Sequence, residues 1–102
     1  MAAVRLEIIN GGFEGTTFDL TEDEVVIGRN PTTDITLLDE GISREHALLL
    51  FDEDVPGFVI EDLASTNGTR LNGKRIRSAS LADGDEIQIG QTLFRFVLIK
   101  DA

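Results

Sequence analysis

Cysteine is absent from the chain, which excludes a disulfide framework, a thiolate metal site and a cysteine nucleophile. Long apolar runs are missing too. The longest, at residues 47–51 and 96–99, fall far short of the roughly 20 residues a bilayer-spanning helix needs. The first residues show no basic segment followed by an apolar stretch, so no secretory signal is expected and the default localisation is cytoplasmic. Basic residues are scarce: nine Lys and Arg stand against nineteen Asp and Glu, a net charge of -10. Such a surface repels nucleic-acid phosphates and anionic lipid, so the composition predicts no nucleic-acid partner and no membrane partner. Helical periodicity is lacking as well, and no internal repeat is visible.

What is present is an ordinary globular balance, 41% hydrophobic and 27% charged over 102 residues. That is enough for one core and too little for two, so residues 1–102 are expected to form a single domain. Val4, Leu6 and Ile8 alternate with Arg5, Glu7 and Ile9 in the two-residue period of a half-buried strand. Asn10-Gly11-Gly12 ends that run, and a partner strand is expected around residues 16–20 to complete a hairpin. The apolar run at residues 47–51 reads as a central strand, with residues 58–61 pairing back on it. Asn72-Gly73 between residues 69–71 and 74–76 signals a tight hairpin of type I′. Further short strands are expected near residues 25–27, 34–37, 87–89 and 93–99, and both prolines fall in turns. The class is all-β, a sandwich.

Six of the nine basic residues, Arg29, Arg44, Arg70, Lys74, Arg75 and Arg77, fall in the middle of this acidic chain. A local basic patch there is suited to one anionic group. The same segment carries, in order, Gly28-Arg29, Ser43-Arg44-Glu45-His46, Ser65-Thr66-Asn67-Gly68 and Asn72-Gly73, separated by strand-like runs. Arg29 stands where a β-branched strand runs out into a turn closed by Asn30-Pro31.

Together and in this order, these pieces resemble the forkhead-associated (FHA) family, whose pattern is GR, SxxH, S/T-x-N-G and NG, and the resemblance spans nearly the whole chain. It implies an FHA-type β-sandwich of two mainly antiparallel sheets with binding loops at one end. The implied function is a phosphothreonine-dependent protein-binding module of signal transduction, not an enzyme and without a cofactor or metal. The style of the motifs is similar to bacterial members and implies a piece of a larger signalling protein. The partner would be a phosphothreonine-containing protein or peptide, in trans or in the same chain, produced by an upstream Ser/Thr kinase.

By this resemblance Arg29, Ser43, Arg44 and Thr66 contact the phosphate or its surroundings, and Asn67 holds the peptide backbone beside it. Gly28, His46, Gly68 and Asn72 support the site. The residue types suit the task. A phosphothreonine carries about -1.5 to -2 charges and three strong acceptor oxygens, so its receptor needs fixed positive charge and converging donors. An arginine supplies a planar fork, a serine a hydroxyl, and an Asn amide both a donor and an acceptor for a peptide unit. The variable loop before Ser43, residues 39–42, bears Asp39 and Glu40, which disfavours an acidic residue at the third peptide position after the phosphothreonine.

Other readings of the same residues are weaker. Ser43 and His46 could suggest a hydrolase, but Glu45 stands where a nucleophile elbow has its second glycine, and no strand-turn-helix context follows. Asp52-Glu53-Asp54 and the 83–86 acidic run lack calcium-loop spacing and read as hairpin turns. Lys74-Arg75-Ile76-Arg77 reads as a solvated strand flank. The main rival keeps the sandwich but uses it for phosphate-independent interaction or dimerisation.

Overall fold

The computed structural model describes residues 3–53 and 57–99. Among them the chain forms no helix and eleven strands: β1 (Ala3–Asn10), β2 (Thr17–Asp19), β3 (Glu24–Gly28), β4 (Ile35–Thr36), β5 (Ala47–Asp52), β6 (Gly57–Asp62), β7 (Thr69–Leu71), β8 (Lys74–Ile76), β9 (Ser78–Ser80), β10 (Glu86–Ile89) and β11 (Thr92–Ile99). Two sheets result, one of six strands in the order β2-β1-β11-β10-β7-β8 and one of five in the order β4-β3-β5-β6-β9. Pairing is antiparallel except between β3 and β4. This is the expected β-sandwich.

The period-two alternation decides which residues fill the space between the sheets. Leu6, Ile8, Ile87, Ile89, Phe94 and Phe96 point inward from one sheet, and Val25, Ile27, Leu49, Phe58 and Ile60 from the other. Phe58 meets Phe96 edge-on, ring centroids 6.3 Å apart. β5 is the central strand of its sheet, as its apolar run predicts, but only Ala47 and Leu49 are fully enclosed. Leu48 and Leu50 face outward and stay half-buried.

The register sets two ends. Ala3 pairs with Ile99, while Asn10 pairs with Leu93 beside the β10–β11 turn. The terminal strands therefore place their outer residues together at one end. At the other gather the β1–β2 hairpin tip, the 29–34 and 37–46 loops, the 63–68 connection and the Gly90-Gln91 turn. The 11–16 tip is a hairpin, closed by Gly15 N–H to Ile8 C=O at 2.9 Å and Ile8 N–H to Thr16 C=O at 2.8 Å.

Asn72 and Gly73 both have positive φ, 50° and 86°, as a type I′ turn requires. β9 is an addition to the strands expected from sequence. Ser78-Ala79-Ser80 has too little apolar character to signal a strand, yet it completes the five-stranded sheet against β6. The turn expected around Asp54 and Pro56 lies outside the described residues.

Candidate functional site

Arg29 follows the last residue of β3, and the backbone there is laced to the segment before β5. His46 N–H donates to Ile27 C=O at 2.8 Å, Arg29 N–H to Ser43 C=O at 3.0 Å and Asn30 N–H to Arg44 C=O at 3.1 Å. This close approach is why residue 28 is glycine: a Cβ there would stand 2.0 Å from the Arg44 carbonyl oxygen. Residues 30–36 then fold back on themselves. Asn30 Oδ1 accepts the Thr32 N–H, Thr33 Oγ1 donates to Asn30 C=O, and Asp34 Oδ2 accepts the Val26 N–H. The Arg29 side chain is left exposed at the strand end.

Ile42 anchors the second loop. Its side chain is 1% exposed in the core, which turns Ser43 and Arg44 outward. Arg29 and Arg44 line one open recess with Asn30 and Pro31, of about 380 Å³. Neither guanidinium is ion-paired to a carboxylate among the described residues, unlike Arg5 with Asp19 or Arg95 with Glu7 and Glu86.

Ser43 joins this loop to the third. Its Oγ accepts the Thr66 N–H at 3.0 Å, leaving its own proton free to donate elsewhere. Thr66 and Asn67 are exposed, and Asn67 Nδ2 donates to Gly41 C=O at 3.0 Å. That bond uses one amide proton and leaves the second proton and Oδ1 for a ligand.

Beneath them His46 is completely buried. Nδ1 accepts the Ser43 N–H at 3.1 Å, and Nε2 pairs with Gly68 C=O at 2.9 Å. Only the Nε2–H tautomer satisfies both contacts. With both ring nitrogens occupied, His46 has none to offer Ser43 Oγ, so the hydrolase arrangement considered from sequence is not assembled.

Two carboxylates that the sequence motifs do not flag hold the loops in place. Asp62 Oδ1 accepts the hydroxyls of Ser65 and Thr69, and Oδ2 accepts the Ser65 N–H; Ser65 Oγ in turn accepts the Gly68 N–H. Burial opposes ionisation of Asp62, but the Ser65 and Thr69 hydroxyls and the Ser65 N–H outweigh it, so its carboxyl lies below the ordinary aspartate range. Asp39 Oδ2 accepts the Gln91 N–H at 2.9 Å and Oδ1 the Gly41 N–H at 2.8 Å, bonds that lower its pKa. The available signal is spacing: Asp62 stands three residues before Ser65 and Asp39 two before Gly41, where a carboxylate folds a turn onto itself.

Arg29, Ser43, Arg44, Thr66, Asn67, Gly28, His46 and Gly68 thus belong to one cluster of loops. Asn72 does not. It stands at the far end of β7 from Gly68, where its amide donates to Asp85 Oδ1 and accepts the Glu86 N–H. The basic patch expected from sequence is also divided. Arg75 lies against Gly68, Arg70 lines a small recess with Asn67 and Gly90, and Lys74 extends from the edge strand β8.

Comparison with known proteins adds the family. The profile of the FHA domain matches residues 25–90, the span that holds all of these loops but the hairpin tip and the end of the Gly90-Gln91 turn. The chain belongs to the FHA domain family. Among curated relatives, the glycogen accumulation regulator GarA of Mycolicibacterium smegmatis is 39% identical over 94 residues, covering 92% of this chain and 57% of GarA. The chain therefore spans little more than half the length of that relative.

Two solved structures share the FHA fold closely. One, from a study of phosphothreonine-dependent FHA domain interactions, superposes with a TM-score of 0.86 at 32% identity, over 97% of this chain and 99% of the other. The second is Mycobacterium tuberculosis EmbR in complex with a low affinity phosphopeptide, with a TM-score of 0.89 at 33% identity, over 100% of this chain and 26% of EmbR. Among the described residues no helix is long and apolar enough to cross a membrane.

Proposed function

We propose that this FHA domain binds phosphothreonine-containing protein segments through the Arg29, Ser43-Arg44 and Thr66-Asn67 loops, without catalysing a reaction on them. The observation that carries this reading is the pair of guanidinium groups, Arg29 and Arg44, that no carboxylate among the described residues pairs, around one recess on a body of net charge -10. Two cations held together without a counter-ion suit a dianion supplied by a ligand. Arg29 and Arg44 supply charge, the Ser43 hydroxyl and Thr66 supply short polar contacts, and the spare amide groups of Asn67 pair with the ligand backbone. Gly28, His46 and Gly68 fix the shape that brings them together. Charge-assisted bonds contribute about 1.5–3 kcal/mol each, so two or three account for most of a micromolar interaction of about 8 kcal/mol. The phosphothreonine-dependent and phosphopeptide-bound FHA relatives support the same reading. The ligand implies an upstream Ser/Thr kinase, and it lies either in another protein or elsewhere in the same polypeptide.

The test is capture from peptide libraries with a fixed phosphothreonine, phosphoserine or unmodified threonine, on the wild-type domain and on Arg29→Ala. Capture of phosphothreonine peptides that the variant abolishes is expected. Equal capture of phosphorylated and unmodified peptides by a folded domain would remove the reading.

A second reading has its own observation. Val26, Leu48, Leu50 and Val59 project from the outer face of the five-stranded sheet, with Val26 opposite Leu48 and Leu50 opposite Val59 in the strand register. This apolar strip supports phosphate-independent interaction or dimerisation, and concentration-dependent self-association unaffected by Arg29→Ala would favour it.

A further inference from the structure

Asn67-Gly68 and Asn72-Gly73 are the same dipeptide at opposite ends of β7, and the fold treats them differently. Asparagine is a chemically labile residue, most of all before glycine, which has no Cβ to shield its nitrogen. That nitrogen gives up its proton and attacks the Asn Cγ. The new N–Cγ bond closes a succinimide ring as the Cγ–Nδ2 bond breaks, and ammonia leaves with the proton. Water then opens the ring at either carbonyl, so that asparagine and water become ammonia and aspartate or isoaspartate. The reaction needs a glycine nitrogen that is free and an Asn side chain that can swing onto it.

At Asn67-Gly68 the fold denies both. The Gly68 N–H donates to Ser65 Oγ at 2.9 Å, and the Gly68 C=O pairs with His46 Nε2 at 2.9 Å. Gly68 is buried, with Arg75 Nε 2.5 Å from where its Cβ would stand, so the residue has no room to turn. Asn67 Nδ2 is tied to Gly41 C=O across the neighbouring loop. At Asn72-Gly73 the nitrogen is free. The Gly73 N–H has no hydrogen-bond partner among the described residues, both residues are exposed, and a Cβ at Gly73 would meet nothing within 4 Å. Only the side chain is held there, by Asp85 Oδ1 on Nδ2 at 3.0 Å and by the Glu86 N–H on Oδ1 at 2.9 Å.

We propose that Asn72 is a deamidation site of the folded domain and that Asn67 is not, because Ser65, itself set by Asp62, keeps the Gly68 nitrogen occupied. The Asp62–Ser65 network then protects the loops chemically as well as shaping them. The consequence of conversion differs by position. A carboxylate at residue 67 would add negative charge among loops that offer cations and donors, whereas at residue 72 it falls at the other end of β7, beside Asp85. Neither half depends on what the loops bind.

The test is incubation of the folded domain in mildly alkaline buffer, with the same protein in denaturant as control. Arg70 lies between the two asparagines, so cleavage after arginine puts them in separate peptides, whose Asn, Asp and isoAsp forms are resolved by chromatography and mass spectrometry. In denaturant the two should convert at like rates. In the folded domain Asn72 should convert at least about tenfold faster than Asn67, the factor that one net hydrogen bond on the glycine nitrogen corresponds to. Asp85→Ala, which releases the Asn72 amide, should speed conversion at residue 72 alone. Gly73→Ala, which shields the nitrogen and meets no neighbour, should slow it. Ser65→Ala should bring Asn67 towards the rate of Asn72. If Ser65→Ala does not fold, amide hydrogen exchange on the wild type reads the same point, with the Gly68 N–H exchanging slowly and the Gly73 N–H fast. Equal conversion at both positions in the folded domain, faster conversion at Asn67, or no conversion at Asn72 while the denatured sample reacts overturns the proposal. So does a Gly68 N–H that exchanges as fast as that of Gly73, or a folded Ser65→Ala in which Asn67 stays inert.

Discussion

The two ends of the sandwich are both made of short polar turns, yet they dispose of their polar groups differently. At the end where β1 and β11 pair through Ala3 and Ile99, several turn side chains bond to one another and to backbone. Asp83 accepts the Leu98 N–H, Asp85 accepts the Ala82 N–H and the Asn72 amide, and Arg5 pairs with Asp19. At the other end the lower tier, the buried His46 with the half-buried Asp62 and Asp39, is equally well bonded, but the tier above it is not. Arg29, Arg44, the Ser43 hydroxyl proton and half of the Asn67 amide have no partner among the described residues. Turn side chains bonded in this way maintain the fold, whereas the cations and donors that the fold leaves unpaired at the other end are available to a ligand.

That contrast predicts glycine substitutions of unequal severity. Gly28→Ala drives a methyl into the Arg44 carbonyl, where only backbone can yield, so the β3 end must separate from the Ser43 loop. The expected loss is about 3 kcal/mol, the upper range for overpacking, with phosphopeptide binding lost as well. Gly84→Ala at the other end meets nothing within 4 Å and suffers only its positive φ of 89°. It should cost about 1 kcal/mol and leave binding unchanged. Equal melting temperatures for the two variants would show that the Gly28 approach is not a constraint.

Arginine substitutions should separate the ends by binding alone. Arg29→Ala is expected to weaken a phosphothreonine peptide by about tenfold to a thousandfold, the loss of one bidentate charge-assisted contact, with melting unchanged. Arg5→Ala removes an exposed ion pair worth at most about 1 kcal/mol and should leave affinity alone. Titration calorimetry on both variants decides whether the unpaired guanidinium is the one that matters.

The difference between the two tiers also explains which features are legible in the amino-acid sequence. Strands declare themselves through alternation, as in Val4-Leu6-Ile8, and turns through Asn72-Gly73, because those signals are local. β9 does not, because Ser78 to Ser80 belongs to a sheet through hydrogen bonds to β6 that composition does not encode. Arg29, Ser43-Arg44 and Thr66-Asn67 stand out by motif order. The carboxylates beneath them signal only through their spacing to Ser65 and Gly41, a weak local cue in a chain with nineteen acids. Only the fold brings Gln91 to Asp39, across 52 residues. Asn72 misleads for the converse reason. Its motif lies next to the site in sequence, but β7 carries it away from Gly68.

The smallest expected effect concerns those hidden carboxylates, and its sign follows from their hydrogen bonds. Asp62 has a lowered pKa in the folded state, so its ionised form is bound more tightly by the fold than by the unfolded chain. The stability it contributes is fully present above the unfolded aspartate value of about 3.9 and is lost as pH falls through the lower folded value. Asp62→Asn keeps the shape but cannot accept the Ser65 N–H and both hydroxyls in the same way. The variant should therefore melt below wild type at pH 7, and the gap should narrow as pH falls below about 4, because protonation deprives the wild type of the same acceptor. Asp39→Asn should behave alike through Gln91 and Gly41. A gap that stays constant from neutral to acid pH would mean that charge at Asp62 does not hold the Ser65–Gly68 turn. The guanidinium fringe would then rest on His46 and on the backbone lacing of Gly28 alone.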